Sequence, residues 1–348
     1  MEDSNIIYNH YDQDYDYNYT DLNFTVHEFD YENNKTCFKE MSCATLLFVN
    51  VLMFLLGVSG NAVVIWIAGF KMKRTVNTTW YLSLAVSDFL FCACLPFNIT
   101  NMATEDWIFG VVMCKLTSFV LFLNMFSSIF LLVVISADRC LSVVFPVWAQ
   151  NHRTNRKASV VVVVSWLLAG GLSVPSLVFR DTAEHPGRTV CLNRYRGPHS
   201  HQAVAVTRFL SGFVLPFLFI MVCYSIIIIR LRTNRMTRSS KPFKVMSALI
   251  ATFFLCWLPY HVFVLLERQL HLYDPEVIHI GLQVGTTVAT ANSFLNPVLY
   301  VFMGNDFKQK FRSSMLSKMA NAMGEEGRTT SRYLSRSSSM DGRGSTHI

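Results

Sequence analysis

Asp88 is the one charge in an apolar stretch that runs from Arg74 to Glu105, and Asn61, Asn124, Ser128, Asn292 and Asn296 occupy comparable depths in other apolar runs. Polar groups in hydrocarbon are costly, so each needs a partner or a task. Asn124 and Ser128 are four residues apart, as are Asn292 and Asn296, so each pair shares one helical face. A carboxylate ringed by amide and hydroxyl oxygens is a donor set for a small hard cation such as sodium. The same groups also make a hydrogen-bonded network that glues helices together without an ion, and composition alone favours that network.

Asp138-Arg139 closes a long apolar run. An acid directly before a flanking arginine can form a local ion pair and release it, after which the guanidinium can stack on Tyr224 or Tyr300. Ordinary positive flanking would explain Arg139 alone, but not the acid. Three prolines, Pro216, Pro259 and Pro297, lie deep in apolar runs, where each removes a backbone hydrogen bond and can hinge a helix. Trp257 precedes one of them, and Asn296-Pro297-Val-Leu-Tyr300 joins another to a polar handle. Elsewhere Arg180 ends one apolar run and Arg208 heads the next. Such cations would attract an anion such as a peptide carboxylate, with Tyr260, Glu267 and Gln283 completing a rim. For Arg180 the competing account is a pair with neighbouring Asp181; Arg208 has no adjacent acid. No nucleophile, base and orienting group share one compartment, so the residues do not suggest an enzyme.

The elements that must position these groups are membrane helices. Hydrophobic residues make up 52% of the 348 and charged residues 15%, with 28 Phe, which exceeds what a soluble core absorbs. Cys114 to Arg139 would cover roughly 38 Å as a helix, enough to cross a bilayer obliquely. The other spans are expected over Met41 to Phe70, between Arg74 and Glu105, Ala158 to Phe179, Phe209 to Ile229, Val245 to Leu266 and Val277 to Asn305. The fold class is thus an all-α membrane protein, a seven-transmembrane helix bundle with a short amphipathic C-terminal helix. Lys71, Lys73 and Arg74, then His152, Arg153, Arg156 and Lys157, then Arg230, Arg232, Arg235, Arg238, Lys241 and Lys244 occupy alternate connections, which places those in the cytoplasm and the N-terminus outside.

Four regions follow: an acidic glycosylated tail over 1–43, the bundle over 44–304, an amphipathic helix on the membrane surface over 305–320, and a phosphorylatable cytoplasmic tail over 321–348. The first contains the sequons Asn18-Tyr-Thr, Asn23-Phe-Thr and Asn34-Lys-Thr and tyrosines beside acids, which are candidates for sulfation. No cleavable leader is visible, so the first apolar helix is expected to direct targeting. The third interleaves Phe302, Phe307 and Phe311 with Lys308, Lys310 and Arg312. The last holds Thr329, Thr330, Ser331, Ser335, Ser337, Ser338 and Ser339. Cys37, Cys43, Cys114 and Cys191 lie in or beside polar outer segments and suit disulfides. Cys92, Cys94, Cys140, Cys223 and Cys256 lie in apolar runs or at the inner face and suit free thiols. The net charge of +7 arises from the inner connections and does not call for nucleic acid.

Gly60-Asn61, Leu84-Ala85-Val86-Ser87-Asp88, Asp138-Arg139-Cys140, Trp166, Pro216 with Tyr224, Cys256-Trp257-Leu258-Pro259 and Asn296-Pro297-Val298-Leu299-Tyr300, in that order on seven spans, resemble the rhodopsin class of G-protein-coupled receptors. Gln150-Asn151-His152-Arg153, Pro175 to Thr182, Val206 to Leu210, Lys241 to Lys244 and Tyr300 to Gly304 are similar to its chemoattractant branch, most closely the chemerin (chemokine-like) receptors. The resemblance implies a chemerin-type protein ligand whose C-terminal peptide enters the bundle, an inhibitory heterotrimeric G protein, and receptor kinases and arrestin on the tail, in the plasma membrane. Residue by residue it implies a Cys114–Cys191 disulfide and ligand contacts from Arg180 and Arg208 with Tyr260, Glu267 and Gln283. It implies switches at Asp138, Arg139, Tyr224, Trp257, Pro259, Asn296, Pro297 and Tyr300, and a sodium site at Asp88, Asn124, Ser128, Asn292 and Asn296. Other peptides, complement or formylated, and a receptor that binds without signalling are the alternatives. Two departures stand out: Cys140 replaces the usual tyrosine, and no cysteine follows Phe311 to carry a palmitoyl anchor. A retinal protein would need a lysine in the seventh span, which has none, and a transporter would need more buried charge than Asp88.

Overall fold

The computed structural model describes residues 41–195, 197–233, 241–267, 273–303, 309 and 311–313. The glycosylation sites Asn18, Asn23 and Asn34, most of the acidic tail, the phosphate acceptors and nearly all of the 305–320 helix lie outside the described residues; of the last, Gln309 and Phe311–Ser313 are helical.

Helix α1, Met41–Trp66, ends in a π turn over Ile67–Lys71. Helix α2, Val76–Thr104, starts where Thr75 and Thr78 cap one another: Thr78 N donates to Thr75 Oγ1 at 3.2 Å and Thr75 N to Thr78 Oγ1 at 2.7 Å. Helix α3, Gly110–Val144, is 35 residues long, about 52 Å at the helical rise. Pro146 then opens the short α4, Pro146–His152, and Thr154 caps α5, Asn155–Phe179. Strands β1, Arg180–His185, and β2, Arg188–Asn193, form an antiparallel hairpin that the helical pattern did not reveal. Its turn is possible because Gly187 takes φ +80.

Helix α6, Pro198–Phe209, passes through a π turn at Leu210–Val214 into α7, Leu215–Thr233. The fifth span therefore starts well before Phe209. Its first turns, with His199, Ser200, His201, Gln202, Thr207 and Arg208, are too polar to read as membrane. Pro216 has no N–H to return to the ladder, and the widened turn just before it absorbs the gap. Helix α8, Lys241–Glu267, contains Pro259, and α9, Pro275–Met303, contains Pro297. Two further helix prolines, Pro96 in α2 and Pro175 in α5, join the three read from sequence.

Among the described residues six helices are long and apolar enough to cross a membrane. The 29-residue α9 has the length but carries Thr287, Thr290, Asn292, Ser293 and Asn296, which are buried. Burial is inverted relative to a water-soluble protein. Phe70 is 79% exposed and Leu167 71%, whereas Asp88, Asn61 and Ser293 are 0% exposed. That inversion is what a hydrocarbon solvent demands. The centre is packed with Trp257, Tyr300, Phe126, Phe253, Met125 and Ile129. Close contact is won by small residues: a Cβ at Gly285 would lie 2.9 Å from the backbone nitrogen of Tyr260, joining α9 to the Pro259 region of α8.

Candidate functional site

The hairpin end is held by a disulfide between Cys114, at the head of α3, and Cys191 in β2. Cys43 is also disulfide-bonded, and its expected partner Cys37 lies outside the described residues. The other five cysteines are free thiols. Trp107 N donates to Thr189 O at 2.8 Å, and Thr189 N donates to Asp106 Oδ1 at 2.7 Å, so the α2–α3 connection pins β2 as well.

Two arginines stand at this end: Arg180 opens β1, and Arg208 lies near the end of α6. Arg208 lays its guanidinium 3.5 Å from the centroid of the Phe122 ring and donates from Nη2 to Ser176 Oγ at 2.9 Å. Arg180 does not pair with Asp181. That carboxylate accepts from Arg194 at 3.0 Å and from the Thr182 amide at 2.9 Å. Among the described residues neither Arg180 nor Arg208 has an ion-pair partner, and the Nε of each is buried without a hydrogen bond. Burial pushes the Arg180 pKa below its ordinary value, against the opposing pull of Tyr260 and Tyr195; an arginine nonetheless stays charged in neutral water.

Of the expected rim, Tyr260 and Glu267 stand within electrostatic reach of Arg180. Glu267 lies 4.0 Å from His201. Gln283 instead bonds His279 at 3.0 Å and makes no described contact with the arginines. Sequence reasoning missed Ser176, Phe122, Tyr195 and His201. They come from four separate places in the chain, and no spacing rule links them.

Below the arginines is an aromatic stack. His261 touches Phe209 at 5.7 Å, Phe213 at 5.2 Å, Tyr260 at 5.5 Å and Trp257 at 6.3 Å between centroids. Trp257 is 1% exposed, and its Nε1 has no partner. The switch candidate is thus in contact, through rings, with the layer that holds Arg208.

Deeper still, Asp88 accepts from Asn124 Nδ2 at 2.9 Å and from Asn296 Nδ2 at 2.8 Å. Ser293 Oγ donates to Asn124 Oδ1 at 3.2 Å, and Ser87 and Ser127 join at 2.5 Å. Asn61 donates to the Ser293 carbonyl at 2.9 Å. Two of the expected ligands therefore present N–H groups to the carboxylate. The other two, Ser128 Oγ and Asn292 Oδ1, are buried oxygens without a hydrogen bond. A buried oxygen left open is the kind of donor a small hard cation takes.

At the far end of α3 the local pair that sequence suggests is present but long, and a second arginine takes the shorter contacts. Asp138 is gripped by Arg153, from Nε at 2.7 Å and from Nη2 at 2.9 Å. Arg139 Nε is 3.9 Å from Asp138, and its Nη2 donates to Asn77 Oδ1. Tyr81 and Tyr224 are its aromatic neighbours, and Tyr300 packs on Tyr81 at 4.9 Å.

The sequence matches the 7 transmembrane receptor (rhodopsin family) over residues 60–300. Chemerin-like receptor 1 of Homo sapiens is 47% identical over 300 residues, covering 81% of this chain and 80% of that protein. The C3a anaphylatoxin chemotactic receptor of Danio rerio is 41% identical over 326 residues, with 92% and 89% covered. N-formyl peptide receptor 2 of Homo sapiens is 40% identical over 305 residues, with 82% and 87% covered.

Proposed function

Since the chain belongs to the rhodopsin family of seven-transmembrane receptors, and is therefore a multi-pass membrane receptor rather than an enzyme, we propose that it is a receptor for a chemoattractant protein of the chemerin type. The carrying observation is the pair of arginines, Arg180 and Arg208, set at the hairpin end without an ion-pair partner among the described residues. Two such cations are complementary to the C-terminal carboxylate of a peptide, and the aromatic layer beneath them suits its apolar side chains. The hairpin end faces outward, because the basic connections lie at the other end.

A peptide carboxylate that draws Arg208 off Phe122 disturbs the rings around His261 and Trp257. Pro259, which with Tyr260 forms the contact with Gly285, is where α8 can hinge in response. The change arrives at Asp138, Arg139, Tyr224 and Tyr300, where an inhibitory heterotrimeric G protein docks; receptor kinases and arrestin then act on the tail. Asp88 with Ser128, Asn292, Asn124 and Asn296 would hold sodium in the resting bundle, and the ion would supply a compact positive charge to offset the buried carboxylate.

The test is inhibition of cyclic AMP in cells that express the chain, challenged with a chemerin C-terminal peptide with and without pertussis toxin, beside complement and formyl peptides. A toxin-sensitive response to the chemerin peptide supports the reading. A response only to a complement or formyl peptide moves the chain to the branch of its 41% and 40% identical relatives. Binding without response makes it a scavenger.

A further inference from the structure

Charge at the Asp138 end is distributed unevenly. Arg153 takes both oxygens of Asp138, at 2.7 and 2.9 Å. The sequence neighbour Arg139 is left 3.9 Å away, beyond hydrogen-bond reach. Arg139 nevertheless has only 13% of its side chain exposed, and its described hydrogen bond is to the amide oxygen of Asn77. That same oxygen accepts from Arg153 Nη2 at 2.6 Å. Two guanidiniums thus share one carboxylate and one neutral amide oxygen.

No acid from the facing helices can relieve this. Between Glu184 and Glu267 the sequence contains neither Asp nor Glu, so the fifth span, the sixth span and the segment joining them have no carboxylate to offer Arg139. The arginine must be held from its own side, by α2 and by the segment that follows α4.

We infer that Asn77 is the latch that holds Arg139 in the resting receptor, and that Arg153 is a positioning residue that sets the strength of the latch by occupying Asp138. A neutral amide holds a buried guanidinium less firmly than a carboxylate would. With Arg153 in place, Asp138 cannot collapse onto Arg139, and the latch stays weak enough to open. The two residues touch one another, yet their removal acts in opposite directions. Loss of Asn77 frees Arg139. Loss of Arg153 hands Asp138 to Arg139 and closes a tighter local pair.

This rests on the reading above that a released Arg139 meets an inhibitory G protein. The experiment is nucleotide exchange on a purified inhibitory heterotrimer, catalysed by full-length receptor in lipid nanodiscs, without agonist and with the chemerin C-terminal peptide. Asn77→Leu should raise agonist-free exchange roughly 10- to 100-fold, as expected for loss of one hydrogen bond to a charged group. Asn77→Asp, which keeps size and acceptor and adds charge, should lower it below wild type. Arg153→Gln should also lower it, and Arg153→Lys should fall between Arg153→Gln and wild type. Thermal unfolding of each variant separates misfolding from a changed latch, and Asn77→Asp preserves the test if Asn77→Leu does not fold.

The latch is overturned if Asn77→Leu and Asn77→Asp shift basal exchange in the same direction, if neither shifts it, or if Arg153→Gln raises it. Wild-type receptor that responds to the peptide while the Asn77 variants match it counts against the latch alone. Wild-type receptor that catalyses no exchange under either condition removes the functional reading and the latch with it.

Discussion

The two ends of the bundle handle arginine in opposite ways. At the hairpin end, Arg180 and Arg208 have no carboxylate partner among the described residues, although Asp181 is adjacent to one of them and is given instead to Arg194. At the far end, Arg139 and Arg153 are bound into a set with Asp138 and Asn77 that is closed within the chain. Cations without an ion-pair partner among the described residues are complementary to a charge from outside. Cations already engaged with groups of the chain must be pulled apart before they can act. One end is built to receive and the other to be opened, and the Asp88 network lies between them.

The contrast breaks most completely if the receiving end loses its roof. Replacing Cys114 by Ser removes a bridge between residues 77 apart, worth about 4.5 kcal/mol in the loop-closure picture. The expected outcome is loss of peptide binding and of most surface expression, read by flow cytometry and radioligand binding. Arg208→Ala comes next. It removes a half-buried cation that lies on Phe122 and donates to Ser176, and should lower agonist potency roughly 100-fold, about 3 kcal/mol, with surface expression intact. An unchanged dose response would take Arg208 out of the site.

Asp88→Asn tests the region between the ends. Both Asp88 oxygens accept amide N–H groups, so an amide there must turn its own NH2 toward a donor, at a cost of about 1 to 3 kcal/mol. Agonist binding should lose its dependence on sodium, measured by titrating NaCl against a choline control. Retained sodium dependence would leave the polar cluster as helix glue.

How much of this was legible from sequence varies with the kind of contact. The membrane spans, the disulfide candidates and the polar cluster follow from local patterning: uncharged runs, cysteines at polar ends, and pairs four residues apart. The start of α6 at Pro198 was hidden because its first turns are polar, although they lie at the top of a membrane helix. The hairpin was hidden because Arg180–His185 and Arg188–Asn193 are stabilised by Cys191, Asp106 and Trp107 rather than by their own alternation. The local pair Asp138–Arg139 that adjacency suggested is present at 3.9 Å, but its stronger competitor was not visible. Arg153 folds back from 15 residues away and arrives with better geometry, and Asn77 comes from another helix altogether. Side-chain pairing across helices has no signature in a single sequence.

The smallest predicted effect concerns Arg194, an exposed residue just after β2. Its side chain is 62% exposed and that of Asp181 35%, so the pair adds between nothing and about 1 kcal/mol to stability. Its role in the comparison is to keep Asp181 away from Arg180. With Arg194→Ala, Asp181 becomes free to compete with an incoming carboxylate, and potency should fall a few-fold with no change in thermal unfolding. Adding Asp181→Asn to Arg194→Ala should restore potency, because the competitor is then neutral. Raising salt should shrink the single-variant effect, since exposed charges are screened at about 8 Å under physiological conditions. Equal potency in wild type and in Arg194→Ala at low salt would mean that Arg180 owes its openness to burial at the hairpin end, and the difference between the two ends would then rest on the fold rather than on the allocation of a single carboxylate.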